Sequence, residues 1–288
     1  MKQLFLLSFT AIVFFSCKKE QGPLPPANIT DSTRLNESYG SDAAQKMDFY
    51  LPANRSTTAT KVFILIHGGA WSGGDKNDFK PFIDTLKHRF PDFAIFNINY
   101  RLAANPYNLF PTQEMDVKAA VEYIYNHRTN FLISDKFILL GASAGAHLAM
   151  LQAYKYNSPV KARAVVDFFG PSDMTEMYNN PVGGNILLSL LVAQVVGYIP
   201  TQNPTIYNNS SPVNFITAST AMPTIMLHGG NDPLVNPSQS IAVQNKLNAA
   251  NIPNQYVFYP SGGHGDWDAP TYADAFSKIQ AFINTNVP

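Results

Sequence analysis

The sequence predicts an α/β fold: a mostly parallel central sheet with helices on both faces and one short insertion. Three observations carry this expectation. Apolar runs of strand length alternate with helical patterns over most of the 288 residues. Those runs are continuous rather than every-other-residue, as in parallel strands buried on both faces. Apolar residues make up 45% of the chain and charged residues 14%, enough for a substantial core and unlike a disordered chain.

The first element is "MKQLFLLSFTAIVFFSC". Lys2, an apolar run from Leu4 to Phe15, and small Ser16 before Cys17 have the layout of an export signal. The run is short for a transmembrane helix. "FFSC" resembles a bacterial lipobox, in which the cysteine is lipidated and becomes the first mature residue; Phe14 departs from the aliphatic residue usual at that position. An ordinary secretory signal with an incidental cysteine is the alternative. Residues 1–17 are thus expected to be a lipoprotein-type signal and 18–38, polar and Pro-rich, a flexible tether. A lipid-anchored, exported protein is the implied location. Cys17 is the only cysteine, so no disulfide framework exists.

A single domain of alternating strands and helices is expected over 39–288. "AQKMDFYLP" (Ala44 to Pro52) is a strand stopped by proline. "KVFILIH" from Lys61 is a buried strand, "DFKPFIDTLKHRF" from Asp78 a helix, and "FAIFNINY" from Phe93 another strand. "PTQEMDVKAAVEYIYNHR" opens with Pro111, suited to a first helical turn. "KFILLGAS" from Lys136 is a strand leading to Ser143, and "AHLAMLQAYKY" continues as a helix. "ARAVVDFFG", "TIMLHG" and "NQYVFYP" supply further strands. Residues 171–220 break the alternation. They hold one apolar helix candidate, Asn185 to Val196, and are expected to form a lid over the sheet edge; a surface excursion packed on the side is the alternative.

Equal numbers of acidic and basic residues, 20 each, give no net charge. Nothing suggests a nucleic-acid or polybasic membrane surface. Specificity must come from a local site. "GASAG" is a G-x-S-x-G pattern between a strand and a helix, the context in which a serine is lifted above the sheet on a sharp turn. An unactivated serine is nearly inert and needs a base, and the base an orienter. Among six histidines, His264 in the loop "PSGGHGDW" follows every acid candidate. Asp232, directly after the strand "TIMLHG", is the preferred acid. Asp173 is the runner-up, and Asp167, inside its strand, could be a paired structural residue. "HGGAW" offers Gly69 and Ala70 as backbone donors to an oxyanion, with Ala144 after the nucleophile. His67 is expected to orient that loop.

The ordered set "HGGAW", "NYRL", "GASAGAHLA", "HGGNDPLV" and "GGHG" resembles the α/β-hydrolase superfamily, closest to hormone-sensitive-lipase-like and bacterial feruloyl-esterase-like carboxylesterases. Ala70 and Ala146 stand where that group commonly has glycine. The resemblance implies hydrolysis of a small-molecule or glycan-linked ester through an acyl-enzyme, with Ser143, Asp232 and His264 as the triad. It implies no cofactor and no metal; H-E-x-x-H and Cys/His clusters of metal spacing are absent from the sequence. Amide hydrolysis, as in prolyl-oligopeptidase-like enzymes or aryl formamidases, and an inactive binding module are the alternatives.

Overall fold

The computed structural model describes residues 29–288. Eight strands form one sheet in the order β1-β2-β4-β3-β5-β6-β7-β8. They are β1 (Ser32–Ser38), β2 (Lys46–Leu51), β3 (Val62–Ile66), β4 (Ala94–Ile98), β5 (Phe137–Ala142), β6 (Ala164–Phe168), β7 (Thr224–Gly229) and β8 (Asn254–Tyr259). From β4 onward across the sheet every pairing is parallel, while β2 is antiparallel to β4 and β1 to β2. This is the α/β-hydrolase fold.

Nine α-helices accompany the sheet among the described residues: α1 (Lys80–Arg89), α2 (Thr112–Asn126), α3 (Arg128–Phe131), α4 (Ala144–Lys155), α5 (Met174–Asn179), α6 (Ile186–Val196), α7 (Pro204–Asn209), α8 (Ser238–Ala249) and α9 (Ala269–Asn286). Consecutive strand residues point to opposite faces. In β3, Val62, Ile64 and Ile66 join one core with α2, α4 and α8, whereas Phe63 and Leu65 join a second core with α1 and α9. Each such side chain, fully buried, is worth about 1.5–3 kcal/mol of transfer free energy. Both faces being covered is why the strands read as unbroken apolar runs.

The expected signal at 1–17, with Cys17, lies outside the described residues, as does 18–28 of the expected tether. The rest of that tether needs correction. Ser32–Ser38 is a strand, hydrogen-bonded to β2 with a register shift between Arg34 and Glu37. It lies at the sheet edge with mostly exposed side chains, so it needs no apolar residues and reads as linker. Its polar sequence and irregular register suit an edge strand.

Residues 171–220 lie between β6 and β7 and contain α5, α6 and α7. Asn185 caps α6, its side chain accepting from the Leu187 N–H, and Gly197 at φ 85° ends it. Asn203 caps α7 in the same way and Asp173 caps α5. The two shorter helices escape a periodicity search, being six residues each.

Candidate active site

Three loops at the C-terminal ends of β3, β5 and β7, with the loop after β8, converge on one cavity. That edge is where ligand chemistry collects in parallel sheets. Ser143 ends the turn from β5 into α4 with φ 54° and ψ −123°. A non-glycine residue there costs on the order of 1–3 kcal/mol, sustained only by surrounding structure. Ser143 N–H donates to Phe168 O at 2.8 Å, and Ser143 O accepts from His147 N–H at 3.1 Å.

The flanking glycines are steric requirements. A Cβ on Gly145 would lie 1.9 Å from Ile66 O, and one on Gly141 would lie 2.3 Å from Gly145 backbone atoms. Helix α4 therefore lies directly on the β3 backbone. Ala146, where the resembling group has glycine, is fully buried; a Cβ on Gly170 would sit 2.6 Å from its methyl. Gly170 leaves the space that this alanine uses.

His264 Nδ1–H donates to Asp232 Oδ2 at 2.7 Å, and its Nε2 is 2.8 Å from Ser143 Oγ. With Nδ1 donating to the carboxylate, Nε2 accepts from the hydroxyl. Asp232 Oδ1 accepts from Leu234 N–H at 2.8 Å and Val235 N–H at 2.9 Å. His228 Nε2 stands 3.3 Å from Oδ2. Burial alone would push the Asp232 carboxyl up, but the hydrogen bonds from His228, His264 and Val235 outweigh it and hold the group far below the usual carboxylate range. It stays ionised and oriented.

The other acid candidates are elsewhere. Asp173 Oδ1 accepts from Glu176 N–H as the α5 cap. Asp167 is buried in β6; Oδ1 accepts from Gly170 N–H at 2.7 Å while Oδ2 has no partner among the described residues. Neither hydrogen-bonds His264.

After β3 the chain takes three consecutive left-handed residues: Gly69 at φ 105°, Ala70 at 50° and Trp71 at 59°. A Cβ on Gly69 would meet Gly73 O at 2.2 Å. At Ala70 and Trp71 the conformation costs about 1–2 kcal/mol each. Gly69 and Ala70 line the cavity with Ser143, and their N–H groups have no acceptor among the described residues. Ala144 N–H, at the first position of α4, likewise has none. His67 donates from Nδ1 to Gly68 O at 2.7 Å and stacks on Tyr100, ring centroids 4.2 Å apart. Tyr100 Oη in turn donates to His67 O at 3.0 Å. Burial pushes the His67 imidazole pKa down, so the ring is a neutral strut for the loop.

The cavity has a volume of about 430 Å³. Met177, Leu188 and Leu191 from the insertion line one side with Leu234 and Val235, and Phe169, Tyr272 and Asp78 line others. Sequence reasoning missed Asp78, Phe169 and Tyr272, which sit on elements it took as scaffold, and missed His228 as a second donor to Asp232. The i, i+4 spacing of His228 and Asp232 was the available signal. Among the described residues no cluster of three or more His, Cys, Asp or Glu side chains has metal-binding geometry, and no helix is long and apolar enough to cross a membrane.

Known proteins resemble this chain in sequence and fold. The family model BD-FAE matches residues 47–247. "Probable carboxylic ester hydrolase LipM" of Mycobacterium tuberculosis (strain ATCC 25618 / H37Rv) is 33% identical over 214 residues, 69% of this chain and 48% of LipM. The chain thus spans about half the length of that relative. Two solved structures superpose with a TM-score of 0.75. One is a truncated carbohydrate esterase from gut microbiota, 23% identical, covering 91% of this chain and 98% of its own. The other is a bifunctional GH43-CE protein of Bacteroides eggerthii, 26% identical, covering 89% of this chain and 38% of its own. With a family model spanning most of its length and the sheet order described above, the chain belongs to the BD-FAE family of the α/β-hydrolase superfamily.

Proposed function

We propose that this protein is a serine hydrolase of carboxylic esters, with Ser143 as nucleophile, His264 as general base and acid, and Asp232 as orienter. The observation that carries the proposal is the continuous relay from Ser143 Oγ through His264 to Asp232, at 2.8 and 2.7 Å, at the edge of an apolar cavity. His264 Nε2 takes the hydroxyl proton as Oγ attacks the ester carbonyl. The imidazolium that forms is stabilised by ionised Asp232. The carbonyl oxygen becomes an oxyanion and accepts from the N–H groups of Gly69, Ala70 and Ala144. His264 then protonates the leaving alcohol. Water, deprotonated by the same nitrogen, attacks the acyl-enzyme and restores Ser143. The homology to LipM, a probable carboxylic ester hydrolase, supports ester rather than amide chemistry.

Short acyl groups, including those carried on glycans, are the substrates we propose. The cavity is small, and Met177, Leu188 and Leu191 close one side, so we assign the insertion at 171–220 the role of a lid and acyl wall. Turnover of a p-nitrophenyl ester series and labelling by a fluorophosphonate probe test the proposal. Ser143→Ala is expected to abolish labelling and lower kcat by on the order of 10⁴-fold or more while melting like the wild type. A mutant that labels at the wild-type rate would remove Ser143 from the role.

For location we propose export and anchoring through Cys17, a reading supported by the lipobox-like "FFSC" motif. Cys17→Ser is expected to move the protein from the membrane to the soluble fraction. A wild-type protein with a free N-terminus other than residue 17 contradicts the anchor.

A further inference from the structure

His147 lies one turn after Ser143 on α4, is fully buried, and takes no part in the relay. Its two nitrogens have different partners. Trp71 Nε1–H donates to Nδ1 at 3.1 Å, and Nε2 is 2.7 Å from the carbonyl oxygen of Ser210. An indole can only donate and a carbonyl can only accept. The tautomer is therefore fixed: Nδ1 is bare and Nε2 carries the proton. A protonated ring would have two donors and would face the indole N–H with a third. Burial pushes the imidazole pKa down to about 4, in keeping with a neutral ring.

Each partner belongs to a different part of the active site. Trp71 follows Ala70 in the left-handed stretch, and its backbone is also held, because Trp71 O accepts from Ala103 N–H at 2.9 Å. Trp71, the residue that follows Ala70, is thus fastened through both its indole and its own carbonyl, which restrains the chain leaving the left-handed stretch. Ser210 ends α7 in the insertion, and its hydroxyl donates to Ile206 O at 2.7 Å. Phe110 lies edge-on to the His147 ring, centroids 5.8 Å apart, and its N–H donates to Val195 O of α6. Helix α6 carries Leu188 and Leu191 on the cavity wall. One ring thus fastens the oxyanion loop, the nucleophile helix and the foot of the insertion.

We infer that His147 is a positioning residue for the reaction: by holding the Trp71 indole against the Ser210 carbonyl, it keeps the N–H groups of Gly69 and Ala70 aimed at the oxyanion. Catalysis by preorganised donors depends on this aim, since they stabilise the transition state only where charge develops. A substrate in its ground state gains little from them, so the loss belongs in kcat rather than KM. The inference rests on the serine-hydrolase proposal above.

The test uses the full chain, with p-nitrophenyl acetate kinetics and melting curves for wild type, His147→Leu, His147→Gln, Trp71→Phe and the Trp71→Phe/His147→Leu pair. His147→Leu is expected to lower kcat by on the order of 10–100-fold with KM little changed. His147→Gln, which keeps one acceptor beside one donor, is expected to recover most of the rate. Trp71→Phe should resemble His147→Leu, and the double mutant should be no worse than either single. A folded His147→Leu protein with wild-type kcat overturns the inference; so does an equal loss in His147→Gln, or full additivity in the double mutant. If His147→Leu does not fold, ¹⁵N-histidine spectra of the wild type decide. A neutral Nε2–H tautomer from pH 6 to 8 supports the inference, and an Nδ1–H tautomer or a ring that titrates in that window overturns it. Wild-type protein that neither turns over esters nor labels at Ser143 would remove the hydrolase proposal and this inference with it. Active wild type indifferent to His147→Leu removes this inference alone.

Discussion

The two sides of the cavity are built from different material. The side formed by the ends of β3 and β5 is mostly backbone. It consists of glycines into which no Cβ fits, three left-handed residues in a row and a strained serine, with Gly69 and Ala70 N–H groups that have no acceptor among the described residues. The side formed by α5 and α6 is mostly side chain. Met177, Leu188 and Leu191 face inward, while Ile186, Leu187 and Leu190 on the same stretch remain exposed. Backbone geometry tolerates little substitution and presents the same donors to any ester. Side-chain walls can be exchanged one residue at a time. Rate is thus expected to reside in the first side and selectivity in the second.

The largest expected effect would break this division if it fell on the wrong side. Asp232→Asn is expected to cost about 10⁴-fold in kcat, because the amide leaves His264 in the wrong tautomer. Asp173→Asn, in the insertion, is expected to be nearly neutral, since asparagine caps α5 as well as aspartate does. Kinetics on p-nitrophenyl acetate check both, and the reverse ranking would give Asp173 the acid role.

Next in size is a pH effect confined to the sheet side. Burial raises the Asp167 carboxyl from its ordinary value of 3.8 to about 7, against the opposing Gly170 N–H and His228. Between those values the folded protein holds a proton that the unfolded chain has lost, so stability falls as pH rises from about 4 to 7. The full penalty above that window is at most about 4 kcal/mol. Urea unfolding at pH 5 and pH 8 should show a smaller decline for Asp167→Asn than for the wild type. Equal declines would mean that Asp167 is ionised at little cost.

The smallest effect sharpens the comparison from the insertion side. Leu188→Ala or Leu191→Ala is expected to shift the kcat/KM ratio between hexanoate and acetate esters by about 3–10-fold, the equivalent of one or two buried methylenes. Turnover of acetate should change less. Uniform loss across chain lengths would make α6 a packing element with no part in selection.

The inner strands were legible because burial on both faces writes a continuous apolar run, as in "KVFILI" and "KFILL". Ser143, Asp232 and His264 were legible as positions because each follows a strand and the fold fixes their order. Strand β1 was not legible: an edge strand whose one apolar residue, Leu35, is exposed has no hydrophobic signature. Nor were the partners of His147 and His228. A buried histidine looks the same in sequence whether it fills space or joins loops, and Trp71 and Ser210 lie 76 and 63 positions from His147. Long-range side-chain contacts leave no periodicity.

The insertion also carries a topological duty. Strands β6 and β7 are adjacent and parallel, so the chain leaving Phe168 at one edge of the sheet must return to Thr224 at the other. That return is roughly 15 Å along the strands, and residues 171–220 supply nearly all of it. Cutting them out would not simply open the cavity; it would sever the crossover that lets β7 and β8 join the sheet. The segment can lengthen at little entropic cost, but it cannot shrink below what the crossing demands. Variation among proteins of this fold should therefore run toward longer and more elaborate insertions, and any engineered replacement must be a grafted crossover of comparable reach.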